Sequence, residues 1–265
     1  MVVITLTTDF GSSLYVAQMK GAISSVVPNV PIIDIAHDVP PHNIAAGAFV
    51  LLSTVPFFHD AIHVGVVDPG VGTERAPIIV SCNHGTLVGP DNGLLAPAAK
   101  LLGVKAVHKV TNFRYTLADS SSTFHGRDIF APVAAFLAKG VGADELGVPI
   151  ERWMDLSITG HGEVDGGLSG HVVYIDRFGN CVVNIPGTAV RERFIPGERL
   201  ELQARGSTFP MAYLRTYGLA GKEELLMTIG SSDFLELAVR EGDAAARLGL
   251  HQGDRVTVRS GSGAP

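Results

Sequence analysis

Val2-Val3-Ile4-Thr5-Leu6-Thr7, closing on Thr8-Asp9-Phe10-Gly11, is a short run of apolar and β-branched residues that stops at turn formers, the pattern of a buried strand feeding a loop. A helical pattern follows near Tyr15–Val26, and the alternation then repeats: strand Pro31–Ile35, helix Ile44–Leu52, strands Ile62–Val67 and Ile78–Cys82, helix Leu94–Leu102, strand Ala106–Val110, helix Ile129–Ala138. Alternating strands and helices predict a mostly parallel sheet covered on both faces, an α/β/α sandwich. Around Gly140–Gly167 the composition shifts to Gly, Asp, Glu and Pro. Beyond it the runs are short and strand-like, at His171–Ile175, Cys181–Ile185, Leu225–Ile229 and Arg255–Val258, as in a small antiparallel β-barrel. The expected fold class is therefore α/β, with an N-terminal domain over 1–158, a linker over 159–166 and a C-terminal barrel over 167–265. The tail Ser260–Pro265 is expected to fray.

Of the 265 residues, 46% are apolar and 17% charged, with a net charge of −6. That balance supports a real core and shows no electrostatic footprint for nucleic acid or an anionic membrane. Cys82 and Cys181 lack metal-like spacing and read as buried thiols. The N-terminus has no basic n-region or cleavage site, and the apolar stretch Ile44–Phe58 is too short to span a bilayer. A soluble, cytoplasmic protein is expected.

In open α/β sheets, ligands collect at the carboxyl ends of strands. Three polar endings fall there: Thr7–Gly11, His37-Asp38 and Asp68-Pro69-Gly70-Val71-Gly72. Asp9 reads either as a turn former capping the next helix or as a carboxylate for a ligand's hydroxyls or ammonium. Asp68 leaves an apolar strand through an abrupt Pro-Gly exit, and an Asx-turn competes with a role in a site. Arg75, seven residues on, reads by default as a solvated charge. In His125-Gly126-Arg127-Asp128 a helix start explains Asp128 with Arg127 as its partner, and leaves His125 without a role. The glycines near Asp68 lack the third glycine of a dinucleotide fingerprint and the lysine of a P-loop. His59 and His63 do not converge if His63 lies in a strand, so no metal is expected. No Gly-x-Ser-x-Gly elbow is present. In Asp176-Arg177-Phe178-Gly179-Asn180 a hairpin turn competes with a site in which Phe178 stacks on a base. The Ile229–Glu236 stretch is open to similar readings.

Thr8-Asp9-Phe10-Gly11, Tyr15-Val16 with Met19-Lys20-Gly21, Val67–Gly72, Gly89-Pro90-Asp91-Asn92-Gly93, Phe124–Asp128 and Ile175–Asn180 occur in that order. Together they resemble the S-adenosyl-L-methionine hydroxide adenosyltransferases, or S-adenosyl-L-methionine hydrolases, relatives of the fluorinase and chlorinase. The resemblance implies a two-domain subunit in a homotrimer, with substrate held between the N-terminal domain of one subunit and the C-terminal domain of its neighbour. It implies Asp68, Arg75 and His125 as the water-handling triad and Asp9 at the ribose hydroxyls. Asp176 would bind the methionine amino group, Asn180 the adenine edge, Phe178 would lie beside the base, and Ser231 near the methionine carboxylate. Halogenating relatives carry Tyr at the Asp68 position, the fluorinase has Ser at Gly126, and His42 stands where the fluorinase has Trp. The loop Ser12-Ser13-Leu14 is shorter than in many members and lacks their common acidic residue.

The implied activity is hydrolysis of S-adenosyl-L-methionine to adenosine and L-methionine, by in-line attack of a water-derived hydroxide on the 5′-carbon, with no metal or further cofactor. The alternatives are a 5′-halo-5′-deoxyadenosine synthase and a non-catalytic adenosine-binding module. Two schemes are open for the water: a cationic His125 with Arg75 stabilising hydroxide, or a neutral His125 taking the proton.

Overall fold

The computed structural model describes residues 2–118 and 121–261, so residues 262–265 of the expected tail lie outside the described residues. The chain divides into two compact units, Met1–Ser157 and Ile158–Pro265.

The first unit is built on seven strands: β1 (Ile4–Thr8), β2 (Ile32–Ala36), β3 (Ile62–Val66), β4 (Pro77–Cys82), β5 (Gly85–Pro90), β6 (Val104–Val110) and β7 (Gly147–Pro149). Their order is β2-β1-β3-β5-β4-β6-β7. Pairings through β2-β1-β3-β5 are parallel, whereas β4 pairs antiparallel with β5 and β6, and β6 with β7. Strands β5 and β7 extend the expected set; β7 is three residues long and β5 has glycines near both ends, so neither carries a long apolar run.

Side chains alternate between the faces of a strand. Ile4, Leu6, Ile62, Val64 and Val66 form one core with Met19 and Ile23 of helix α1 (Leu14–Val26). On the opposite face Gly65 meets Leu51 of helix α2 (Ile44–Thr54) and Leu94 and Leu95, with helix α3 (Ala96–Leu102) packed on α2. A Cβ on Gly65 would stand 2.9 Å from Leu51 Cδ1, so glycine there permits close packing of helix on sheet. Helix α4 (Ala131–Ala138) packs against α1 and completes the sandwich. Because β1, β2 and β3 are parallel, the loops that follow them leave from one rim.

The second unit contains β8 (Gly162–Val164), β9 (Gly167–Ile175), β10 (Cys181–Pro186), β11 (Arg199–Ala204), β12 (Ser207–Tyr213), β13 (Leu225–Ile229), β14 (Phe234–Val239) and β15 (Arg255–Ser260). Strands β9 to β15 close into a barrel through the β9–β10 pair, with β8 added beside β9. All its pairings are antiparallel except β12 with β13. Cys181 lies in the barrel core and Cys82 is also a buried free thiol, as expected; burial pushes them up to about 12 and about 11. Among the described residues no helix is long and apolar enough to cross a membrane.

Candidate active site

The loops after β1 and β2 are tied together. Thr8 Oγ1 lies 2.9 Å from His37 Nδ1, and the Gly11 N–H donates to the His37 carbonyl at 2.6 Å. Asp9 does not cap α1; its Oδ2 accepts the His42 N–H at 2.9 Å. His42 holds a left-handed backbone, φ 66°, a conformation uncommon outside glycine and characteristic of constrained sites.

After β3 the chain doubles back. The Val71 N–H donates to the Asp68 carbonyl, and the Thr73 N–H and hydroxyl donate to the Gly70 carbonyl. That tight path returns Arg75 to Asp68: Nε donates to Oδ1 at 3.1 Å and Nη2 to Oδ2, a bidentate fork. Both side chains are buried, 7% and 6% exposed, so Arg75 is not the solvated charge that its polar loop suggests. Asn92, from the Gly89–Gly93 motif, donates to the Val67 carbonyl at 2.9 Å and fixes the end of β3 beside Asp68.

His125 arrives from another part of the chain, and its Nδ1 lies 3.0 Å from Arg75 Nη2. It opens a π-helical turn, Gly126–Phe130, in which the Ala131 N–H reaches back to the Gly126 carbonyl. Arginine donates and cannot accept, so Nδ1 is the acceptor and the ring is neutral with its proton on Nε2. Burial and then the neighbouring Arg75 cation lower the proton affinity of His125, against opposing pulls from Asp68 and Asp128. Burial raises the Asp68 carboxyl above its ordinary value, outweighing Arg75 and His125, and the nearby Asp9 adds to the rise. Among the described residues Arg75 Nη1 is buried without a hydrogen-bond partner, a donor that calls for water or a ligand.

Asp9, Asp68 and His125 line one cavity of about 400 Å³. Its apolar wall is an aromatic triangle: Phe10 to Tyr15 and to Phe124 at 5.6 Å, Tyr15 to Phe124 at 5.0 Å. These rings stand in motifs quoted above, but their convergence follows from the packing of α1 against the π-turn, which no local pattern marks. Gly126 lies beneath them; a Cβ there would stand 3.1 Å from Phe124.

In the second unit, Asp176 Oδ1 accepts the N–H groups of Phe178 and Asn180 at 2.8 and 2.9 Å, and Oδ2 accepts Asn180 Nδ2 at 3.0 Å. The carboxylate thus closes the β9–β10 turn, with Gly179 at φ 81°. Phe178, 76% exposed, and Asn180 line a second cavity with Tyr217. Ser231 is exposed in the β13–β14 turn and is not among that cavity's lining residues. Sequence reasoning passed over Tyr217, whose hydroxyl donates to the buried Glu236 carboxylate, itself pushed up by burial. Among the described residues no group of three or more His, Cys, Asp or Glu side chains could hold a metal ion.

Residues 4–147 match the SAM hydroxide adenosyltransferase N-terminal domain and residues 170–257 the C-terminal domain of the same family. The chain is 39% identical to an (R)-S-adenosyl-L-methionine hydrolase from Salinispora tropica, over 97% of this chain and 98% of the relative. A fluorinase from an Actinoplanes species matches at 26% identity, over 97% of each chain. The crystal structure of an uncharacterized conserved protein from Thermotoga maritima superposes with a TM-score of 0.92 at 33% identity, covering 97% of this chain and all of the other. With both domains matched in order, this chain belongs to the SAM hydroxide adenosyltransferase family.

Proposed function

We propose that the protein hydrolyses S-adenosyl-L-methionine to adenosine and L-methionine, and that Asp68, Arg75 and His125 handle the attacking water. The observation that carries this reading is the hydrogen-bonded run from Asp68 through Arg75 to His125 beside the cavity that Asp9 also lines. Water oxygen forms the new bond to the 5′-carbon as the carbon–sulfur bond breaks, and its electron pair leaves with sulfur as methionine's neutral thioether. Asp68 accepts the water's proton, a role favoured by a carboxyl raised above its usual range. His125, with its proton on Nε2, donates, and Arg75, which is not among the residues that line the cavity, holds Asp68 and His125 in place.

The sulfonium is already a good leaving group, so placement dominates. Holding water in line can supply effective molarities of roughly 10⁵–10⁸ M, and a positioned base adds about 10²–10⁴-fold. Asp9 and Asp68 also put negative charge near a cationic substrate. That charge vanishes as the bond breaks, so the attraction favours binding more than the chemical step.

Asp9 would meet the ribose hydroxyls. Asp176, Asn180, Phe178 and Ser231 would contact the amino group, adenine edge, base and methionine carboxylate, supplied by a neighbouring subunit of a homotrimer in the cytoplasm. The relative's name specifies the (R) sulfonium epimer, and we infer the same preference here. The scheme requires no metal.

The test is turnover in oxygen-18 water with each epimer separately. Label in the adenosine 5′-hydroxyl and release of methionine are expected, with no 5′-chloro-5′-deoxyadenosine when chloride is added. Unlabelled adenosine, or binding without methionine release, would overturn the reading.

A further inference from the structure

Asp128 is wholly buried, yet its side chain does not line the cavity. Its carboxylate accepts Arg127 Nε at 2.5 Å and Nη2 at 3.1 Å, and Oδ2 also accepts the Ser121 N–H at 2.7 Å. Its own N–H donates to the Phe124 carbonyl at 3.1 Å, and its carbonyl accepts the Leu117 N–H at 2.9 Å. That last bond depends on Pro132: an α-helical carbonyl at 128 would receive the N–H of residue 132, and proline has none. One residue therefore gathers the chain at 117, 121 and 124.

The segment so gathered carries Thr123, Phe124 and His125 into the cavity lining. Arg127, held by Asp128, lies over the Phe124 ring at 5.1 Å and donates to Gln18 at 3.3 Å. On its other side the segment packs on the Asp68–Arg75 loop, where a Cβ on Gly72 would run into the Ser122 carbonyl.

We propose that Asp128 is a positioning residue of the active site: by pinning Leu117, Ser121 and Phe124 and locking Arg127 over the aromatic wall, it sets Phe124 and places His125 Nδ1 against Arg75. This inference rests on the catalytic reading of Asp68, Arg75 and His125. The charges that act on His125 are Arg75 and Asp68 from the β3 loop and Asp128 from its own turn, and Arg127 is the cation paired with Asp128.

The test compares Asp128→Asn, Arg127→Gln and the inactive-site control His125→Ala, by steady-state kinetics and by NMR titration of the His125 ring. A displacement on the order of 1 Å can cost about 100-fold in rate, so Asp128→Asn is expected to lower kcat by about 10- to 100-fold with KM within about threefold. The His125 titration should move to lower pH in Asp128→Asn, which removes a negative neighbour, and to higher pH in Arg127→Gln, which unmasks it. Opposite shifts follow from the two charges alone, so the loss of kcat at near-constant KM is the readout that marks positioning. Unchanged kcat in Asp128→Asn, whatever its titration, overturns the inference. If Asp128→Asn lacks a cooperative unfolding transition, Arg127→Gln decides by the same kcat-against-KM comparison. Full turnover by His125→Ala would sink the catalytic reading instead.

Discussion

Arg75 donates to His125 Nδ1 at 3.0 Å while its fork holds Asp68, and that one contact dictates which proton the imidazole carries. A cationic ring would turn two donors on each other at Nδ1, and a neutral ring whose Nδ1 is occupied presents only an N–H at Nε2.

The pH dependence of kcat follows. Asp68 is raised from an ordinary 3.8 and His125 lowered from 6.5, so in the proposed scheme, anionic Asp68 with neutral His125, acidification removes the active ionisation at both groups. We expect kcat to be flat from about pH 7 to 9 and to fall on acidification below the ordinary histidine range. A loss of rate as pH rises from 6 to 8 would mean that a cationic His125 is required.

Asp68→Asn keeps the shape of the side chain and removes the proposed proton acceptor. Turnover should fall by about 10²–10⁴-fold with KM changed no more than a few fold. If KM rose as steeply as kcat fell, Asp68 would be a substrate contact rather than the base.

Arg75→Lys retains charge but not the planar fork that reaches Asp68 and His125 together. Lysine should fail to rescue, with kcat down by at least about tenfold and stability lowered by about 1–3 kcal/mol for imperfectly paired buried charge. Urea unfolding alongside kinetics checks both parts.

Gly72→Ala adds a Cβ at φ +78° against the Ser122 carbonyl, whereas Gly140→Ala adds one at φ +91° with nothing within 4 Å. Each bears the backbone strain of about 1–3 kcal/mol. Only Gly72→Ala should also lower kcat, because the displaced segment carries His125; equal kinetics for the two variants would refute the coupling.

His63, buried on β3 with Nδ1 2.8 Å from Thr5 Oγ1, is pushed down to about 4 by burial. Its folded-state proton affinity is depressed, so its contribution is present above 6.5 and lost as pH falls from 6.5 to about 4, where the unfolded chain binds the extra proton. The depression is worth about 3 kcal/mol. The urea midpoint should fall less between pH 7 and 4.5 for His63→Leu than for the parent; an equal fall would refute the assignment.

Much of the fold was legible because its signals are local. Apolar runs ending at Thr7, Ile35 and Val67 mark three strands, Ile4–Thr8, Ile32–Ala36 and Ile62–Val66, whose parallel course sends Asp9, His37 and Asp68 to one rim. The antiparallel half was harder, since β5 and β7 are short and glycine-flanked. In the barrel, β11, β12 and β14 went unread; β14 follows directly on the Gly230–Asp233 turn, which had drawn attention as a possible site.

The amino-acid order alone determined the strand–helix alternation, the glycine and proline exits and the family motifs, because each depends on residues close in the chain. Tertiary structure alone decided that Arg75 is buried and not solvated, that Asp9 serves the His42 amide, that His125 Nδ1 lies against Arg75, and that Asp128 gathers a whole segment. Desolvation and hydrogen-bond direction depend on partners as far apart as Arg75 and His125, which only the packing of helix on sheet brings within 3.0 Å.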